Sequence, residues 1–436
     1  MSEKKPKRVA PTSMKGMRDI MGDEYYTYQG FFEKAQEIAM YYGFSPIEMP
    51  LVEDEELYLR GVGEHTDILE KEMYTLRPPK SRDKLALRPE GTAGAMRAYI
   101  EHGMQSLPQP VMLYYYGPFY RHDKPQRGRY RELRQFGLEI LGTHKSINDA
   151  LIIKMTMLIL KEAGMHNPVV DINSIGDADS RKEYIKVLTA YYRKFINDLP
   201  PVDRERLKTN PLRILDSKEK KTIEINEEAP DSISFLGSTS KKHFKEVLEY
   251  LEEMGISYRI NKSLVRGLDY YSDTVFEISE EGSVDSEGNT LPSLSVAGGG
   301  RYDGLSKAIG HRKEIPGVGV GIGVDRVVHA ACCSDIKPRI FKKPKAYFIQ
   351  IGVDAKLRSL GVIEILREAK ISIQHSLAKD KLSVQLAIAE KLEIPYTLIF
   401  GQKEAIDKTI IVRNMQTRSQ KTVDLSKLKD YMKKLK

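Results

Sequence analysis

Residues 116–140 read YGPFYRHDKPQRGRYRELRQFGLEI, and they describe a strand that enters, an arginine-rich turn, and a strand that returns. Val111 to Tyr116 is an apolar and aromatic run bounded by Pro110 and Gly117-Pro118, the pattern of a strand. On the returning side, the two-residue period of a strand puts Arg131, Leu133, Gln135, Gly137 and Glu139 on one face. A solvated basic hairpin would account for the charges. It does not account for Gln135 and Glu139 flanking the small Gly137, which leaves room for a ligand on that face. A second glycine pattern, Gly317-Val318-Gly319-Val320-Gly321-Ile322-Gly323, leaves one side of another strand bare before Arg326 opens a helix. It is not a G-x-G-x-x-G turn, since position 322 is Ile.

Outward from the hairpin, Tyr25 to Tyr42 carries Phe31, Phe32, Ala35, Ile38, Ala39 and Tyr42 at helical spacing and stops at Gly43. Phe44 to Pro50 then reads as extended chain, because each proline biases its predecessor away from the helical region. Between about 177 and 258 the pattern changes to long charged helices, Arg181 to Asn197 and Lys241 to Met254, with polar loops around Pro200-Pro201 and Pro211. Strand patterning resumes at Thr274 to Ile278. From Ala346 strands and helices alternate: strands at 346–351, 371–374 and 396–400 with helices at 355–369 and 381–392 between them. That order implies parallel strands joined by right-handed crossovers. Strands at 409–413 and 421–424 and a final helix bearing Leu425, Leu428, Met432 and Leu435 on one face complete this part.

The 436 residues contain 41% hydrophobic and 30% charged side chains, a globular composition with room for two or three domains. No apolar stretch is long enough to span a bilayer, and the basic start, Lys4, Lys5, Lys7 and Arg8, lacks the apolar core of a secretory signal. A cytoplasmic location is expected. The two cysteines, Cys332 and Cys333, are adjacent and match neither a disulfide framework nor a spaced zinc site, which fits a reducing compartment. A net charge of +8 favours polyanionic partners without specifying one.

Taken together, the hairpin resembles motif 2 of the class II aminoacyl-tRNA synthetases, and the glycine strand with Arg326 resembles their motif 3. The helix and extended segment ending at Pro50 are similar to motif 1, which implies a homodimer interface. Two further peptides, Leu264-Val265-Arg266-Gly267-Leu268-Asp269-Tyr270-Tyr271 and Ala297-Gly298-Gly299-Gly300-Arg301-Tyr302-Asp303-Gly304-Leu305, closely resemble signatures of the histidyl-tRNA synthetase family, as does Leu87-Arg88-Pro89-Glu90-Gly91-Thr92-Ala93. The resemblance covers nearly the whole chain. It implies an α+β catalytic domain with an antiparallel sheet flanked by helices, a helical insertion, and a C-terminal α/β domain with a mixed sheet. The corresponding boundaries are a disordered basic tail at 1–10, a catalytic domain at 11–336 with its insertion at about 177–258, a linker at 337–345, and an anticodon-binding domain at 346–436.

The same resemblance implies roles for individual residues. Arg121 and Arg266 are the expected catalytic groups, at the ATP α-phosphate and the substrate carboxylate. Asp123, Arg129, Tyr130 and Arg326 complete the ATP site, although Asp123 stands where the family usually carries glutamate. Glu90, Gly91, Thr92 and Gln135 are expected around the histidine α-amino group, because an ammonium needs acceptors. Glu139 with Tyr270 or Tyr271 is expected at the imidazole, where a carboxylate and a phenol suit a ring with one donor and one acceptor nitrogen. Gln126 and Arg127 are expected at the tRNA acceptor stem. ATP is a substrate, Mg2+ an expected companion of its phosphates with no assigned ligand, and tRNA(His) and L-histidine the partners. Two alternatives stay open: a non-catalytic regulatory paralogue that partners ATP phosphoribosyltransferase, and a synthetase for proline, threonine or glycine. The first typically lacks the C-terminal domain; the second does not carry the 266–271 peptide.

Overall fold

The structure is a computed structural model that describes residues 11–63, 66, 68–124, 128–281, 294–330, 336–339 and 343–435. The expected tail at 1–10, the acceptor-stem candidates Gln126 and Arg127, the cysteines at 332 and 333, and part of the 337–345 linker lie outside the described residues. The chain separates into two compact units, Met1–Pro338 and Arg339–Lys436.

The first unit is built on an eight-stranded sheet. From one edge to the other its strands are Ser45–Pro46, Val111–Tyr120, Glu132–Leu141, Gly317–Gly323, Leu294–Arg301, Ser272–Glu280, Pro168–Ser174 and Tyr258–Ile260. The inner pairings are all antiparallel, and only the two outermost are parallel. The hairpin pairs Tyr115 with Gly137 and Leu113 with Glu139, as its alternation requires. Glycine strand 317–323 lies against 132–141, setting Gly319 opposite Glu139 and Gly321 opposite Gly137.

One face of the sheet is covered by the helices Gly22–Tyr41 and Ile147–Glu162. Phe31, Ala35 and Ala39 of the first helix are fully buried, while Phe32, Ile38 and Tyr42 pack at the margin. Gly43 ends that helix with φ 87°, a left-handed conformation that glycine adopts without steric cost.

Between strands 168–174 and 258–260 the chain forms four helices, Ala178–Lys194, Pro201–Thr209, Lys220–Glu227 and Ser238–Glu253. Two of them fall in stretches expected as polar loops. Pro201 occupies the first helical turn, where its missing N–H would have had no intrahelical partner, so the Pro-Pro pair starts a helix instead of breaking one. The region is also not one body in its packing. Tyr184, Leu188, Tyr192, Leu207 and Leu212 form a core of their own, whereas Phe244, Val247 and Leu251 of the last helix belong to the main core beneath the sheet.

The second unit carries a five-stranded mixed sheet, in the order Ile373–His375, Ala346–Gln350, Tyr396–Phe400, Thr409–Asn414, Gln420–Asp424. The first three strands are parallel and the last two antiparallel additions. Helices Val353–Glu368 and Leu382–Lys391 make the crossovers. Among the described residues no helix is long and apolar enough to cross a membrane.

Candidate active site

A cleft of about 400 Å³ opens on the sheet face opposite the main helices. Its wall brings together Glu90, Gly91, Thr92, Arg121, Asp123, Arg129, Tyr130, Gln135, Arg266, Tyr270, Tyr271 and Arg326, twelve residues scattered over more than half the chain. They arrive on several separate segments of the chain. Arg121 follows the outgoing hairpin strand, Gln135 is on the returning one, Arg266 to Tyr271 form an irregular segment, and Arg326 lies within the helix Val324–Val328, which opens at Val324 and not at the arginine.

One end of the cleft is strongly basic. Arg121 is fixed by its Nε, which donates to the Pro89 carbonyl at 2.8 Å. Arg326 donates to the carbonyl of Ser295 and, at 3.4 Å, to that of Gly128. Burial pulls the Arg326 pKa down, and Arg129, Arg121 and Arg266 add like-charge repulsion that Glu277 only partly offsets. Four guanidinium groups that repel one another around one cleft form a ready site for a polyanion. The helix that contains Arg326 is only five residues long, so the guanidinium, more than a helix dipole, supplies the positive charge there.

Arg266 lies flat across Gly298: a Cβ on that glycine would come within 2.2 Å of its Nη2. The Glu277 carboxylate is 3.4 Å from its Nη1, and its guanidinium carbon sits 6.0 Å from the Tyr271 ring centre. Asp123 is turned toward Arg129, with 3.0 Å between Oδ2 and Nη1.

The other end is built from carboxylates and hydroxyls. Glu90 accepts from the backbone N–H groups of Thr92 at 2.7 Å and Ala93 at 3.0 Å, capping the helix Thr92–Glu101, and Tyr270 donates to it at 3.4 Å. Burial raises the Glu90 pKa. Glu139 is fully buried and is not on the cleft wall; it sits behind Thr92 and Tyr115, accepting from the Thr92 hydroxyl at 2.8 Å, the Tyr115 phenol at 3.1 Å and the Tyr302 phenol. Burial pushes its pKa up to about 7, with the neighbouring Glu90 charge acting in the same direction and the three hydroxyls against it.

The space expected over Gly137 is occupied. The Tyr115 ring lies on it so closely that a Cβ would meet Tyr115 at 2.1 Å, and the same ring covers Gly91. The glycine strand is likewise bare only in part: Tyr302 covers Gly317 and Glu139 reaches over Gly319, whereas Gly321 and Gly323 face the cleft. Tyr115 and Tyr302 are thus site residues that the sequence reading left unassigned. Tyr115 is the cross-strand partner of Gly137, a pairing that the strand's own alternation does not reveal. Tyr302 stood inside the second signature peptide without a role.

Asp325, adjacent to Arg326, ties this site to the first helix. It accepts from the Tyr28 hydroxyl and from the Arg134 backbone N–H, both at 2.6 Å.

The sequence model of the family described as Histidyl-tRNA synthetase matches residues 16–327, and that of the Anticodon binding domain matches residues 345–435. The chain is 38% identical over 420 residues to the histidine--tRNA ligase of Bacillus subtilis (strain 168), covering 96% of this chain and 97% of that protein. It is 36% identical over 422 residues to the histidine--tRNA ligase of Desulforamulus reducens, covering 97% and 99%. Among solved structures, that of S. aureus histidyl-tRNA synthetase without ligand superimposes with a TM-score of 0.78 at 30% identity, over 98% of this chain and all of that one.

Proposed function

The chain belongs to the histidyl-tRNA synthetase family, and on that premise we propose that its basic cleft activates histidine on ATP while Arg339–Lys436 binds the anticodon arm. The activity is the ATP-dependent attachment of L-histidine to tRNA(His) through histidyl-adenylate, with release of diphosphate and AMP. The observation that carries the residue assignment is the convergence of Arg121, Arg129, Arg266 and Arg326 beside the buried Glu139 hydroxyl cluster.

In the first step an oxygen of the histidine carboxylate attacks the α-phosphorus, and the bond to the β,γ-diphosphate breaks. Arg121 and Arg266 stabilise charge that develops on the α-phosphoryl oxygens, and Arg326 with Arg129 holds the outer phosphates. The adenine and ribose lie along Tyr130 and the bare Gly321–Gly323 stretch. In the second step the terminal ribose hydroxyl of tRNA attacks the adenylate carbonyl, and AMP leaves. Neither step needs a protein nucleophile, so positioning and fixed charge do the catalysis.

Glu90, Thr92 and Gln135 are proposed to receive the α-amino group, with Gly91 kept small by the Tyr115 ring that lies on it. The imidazole is proposed to point toward Glu139, reaching its carboxylate when the Thr92 or Tyr115 side chain in front of it turns aside. A carboxylate offers about four acceptor sites, and three hydroxyl donors leave one for a ring N–H. Tyr270 and Tyr271 close the side of the ring.

Among the described residues no group of three or more His, Cys, Asp or Glu is placed to hold a metal ion. Mg2+ is therefore proposed to enter as MgATP, carried on the phosphates. A homodimer is proposed as well, supported by apolar side chains on and near the first helix that are largely exposed, Met21 at 73% and Tyr41 at 84% among them. The working compartment is proposed to be the cytoplasm, and Gln126 and Arg127 remain the proposed acceptor-stem contacts.

Amino-acid-dependent exchange of labelled pyrophosphate into ATP tests this reading. Histidine alone should drive exchange. Exchange driven by proline, threonine or glycine would overturn the specificity, and none with any amino acid would favour a regulatory protein.

A further inference from the structure

We infer that the helical insertion is a working part of the histidine site, because Arg181 and Asn210 from the insertion hold the Arg266–Tyr271 segment in place through Asp269. This inference rests on the function proposed above.

Residues 264–271 have no regular secondary structure, so something other than a sheet ladder must fix them. At one end the Asn173 side-chain amide donates to the Leu264 carbonyl at 3.1 Å. At the other, the Asp269 N–H donates to the Val62 carbonyl at 3.0 Å. Arg266 and Tyr270 are held from within the cleft by Glu277 and Glu90, and the restraints on Asp269 between them come largely from the insertion. Arg181 Nη1 donates to the Asp269 carbonyl at 2.8 Å and reaches the Tyr271 carbonyl at 3.4 Å, while its Nη2 is 3.6 Å from the Asp269 carboxylate. The Asn210 amide donates to Asp269 Oδ1 at 2.7 Å. From the opposite side Gly63, with φ 99°, presses so close that a Cβ would lie 2.4 Å from Asp269 Oδ2.

Asp269 is thus held on several sides, and it stands between the two functional ends of its peptide. Arg266 precedes it by three positions, and Tyr270 and Tyr271 follow directly. Arg181 lies in the first turn of Ala178–Lys194, and Asn210 sits where Pro201–Thr209 gives way to a short 3-10 turn. Both elements share the insertion's separate core, so the two clamps are carried by one packed body. A displacement of that body reaches Asp269 through two hydrogen-bonding side chains and changes the setting of Arg266 and the tyrosines together. Arg181 and Asn210 are positioning residues; neither lines the cleft.

The test uses the full chain, with active sites counted from the adenylate burst and exchange measured against histidine and ATP separately. Arg181→Ala is expected to raise the histidine KM and lower kcat per active site by about tenfold each, the scale of losing a charge-assisted hydrogen bond. Arg181→Lys should recover part of that loss through a single donor. Unchanged histidine KM and per-site kcat in Arg181→Ala would overturn the inference. Should that variant fail to fold, the reciprocal swap decides: Asn210→Asp and Asp269→Asn should each impair histidine use and the double variant should restore it, whereas strictly additive losses would overturn the coupling. A parent protein without histidine-driven exchange would refute the proposed function itself, before any variant is compared.

Discussion

A carboxyl group shut away from water holds its proton longer than an exposed one, even where hydroxyl donors around it favour the charged form. For Glu139 the raised pKa of about 7 has two consequences of known sign. Because the folded value exceeds the ordinary 4.5, the fold favours the protonated form, and this group's contribution to stability falls as pH rises from about 4.5 to about 7. Histidine capture runs the other way, since the ionised form is the stronger acceptor and keeps a site for an imidazole N–H after three hydroxyls are bound. The kcat/KM for histidine is expected to climb between about pH 6 and pH 8, and because the substrate's own imidazole titrates at about 6.5, Glu139→Gln should lower it and shift the inflection down toward that value. Comparing the pH profiles of histidine-driven exchange in the parent and in Glu139→Gln checks this, with the same inflection in both as the contrary result. At the reacting end, Arg266→Ala should cut exchange by about a hundredfold or more, the scale of losing one preorganised donor. Circular dichroism and thermal melting should show the fold retained, and an active Arg266→Ala protein would remove the role assigned to that side chain.

Among the elements, the hairpin and the glycine strand set the shape of the cleft through register. Gly137 and Gly319 are small because Tyr115 and Glu139 lie on them, so a methyl group at either position must displace a buried polar group. Gly137→Ala is expected to destabilise the protein by about 1–3 kcal/mol, as overpacking of a filled core does, measured as a lowered denaturation midpoint. Gly321→Ala, where the nearest atoms would be 3.7 Å away, should leave stability almost unchanged. This contrast marks how far sequence reading reaches. Alternation placed Gln135, Gly137 and Glu139 on one face correctly, since strand period is a local property. It could not say that an aromatic ring from the neighbouring strand fills the gap, because that depends on pairing across the turn. The same limit explains the helices at 201–209 and 220–227: Pro200-Pro201 is ambiguous between a loop and a first turn until packing decides. Arg181 and Asn210 lay beyond reach for a stronger reason, being distant in sequence from the aspartate they hold.

For the whole molecule, each compact unit has its own hydrophobic core, at 1–338 and 339–436. Removal of the second unit is expected to spare histidine-driven exchange while lowering aminoacylation of tRNA(His), measured as charged tRNA per active site. Charging by the full chain should weaken steeply as salt is raised, because phosphate contacts release counterions, whereas exchange with small substrates should change little.

The order of strands in the large sheet has a temporal meaning. Its middle strand, Gly317–Gly323, is the last of the eight to be synthesised, and it alone joins the sheet half ending at Glu132–Leu141 to the half ending at Leu294–Arg301. On a ribosome the nascent chain must therefore wait, with two unjoined half-sheets exposing strand edges, until some three hundred residues have emerged. That interval is when chaperones would be needed, and a chain arrested just short of Gly317 should be digested by protease far faster than one arrested past Arg326.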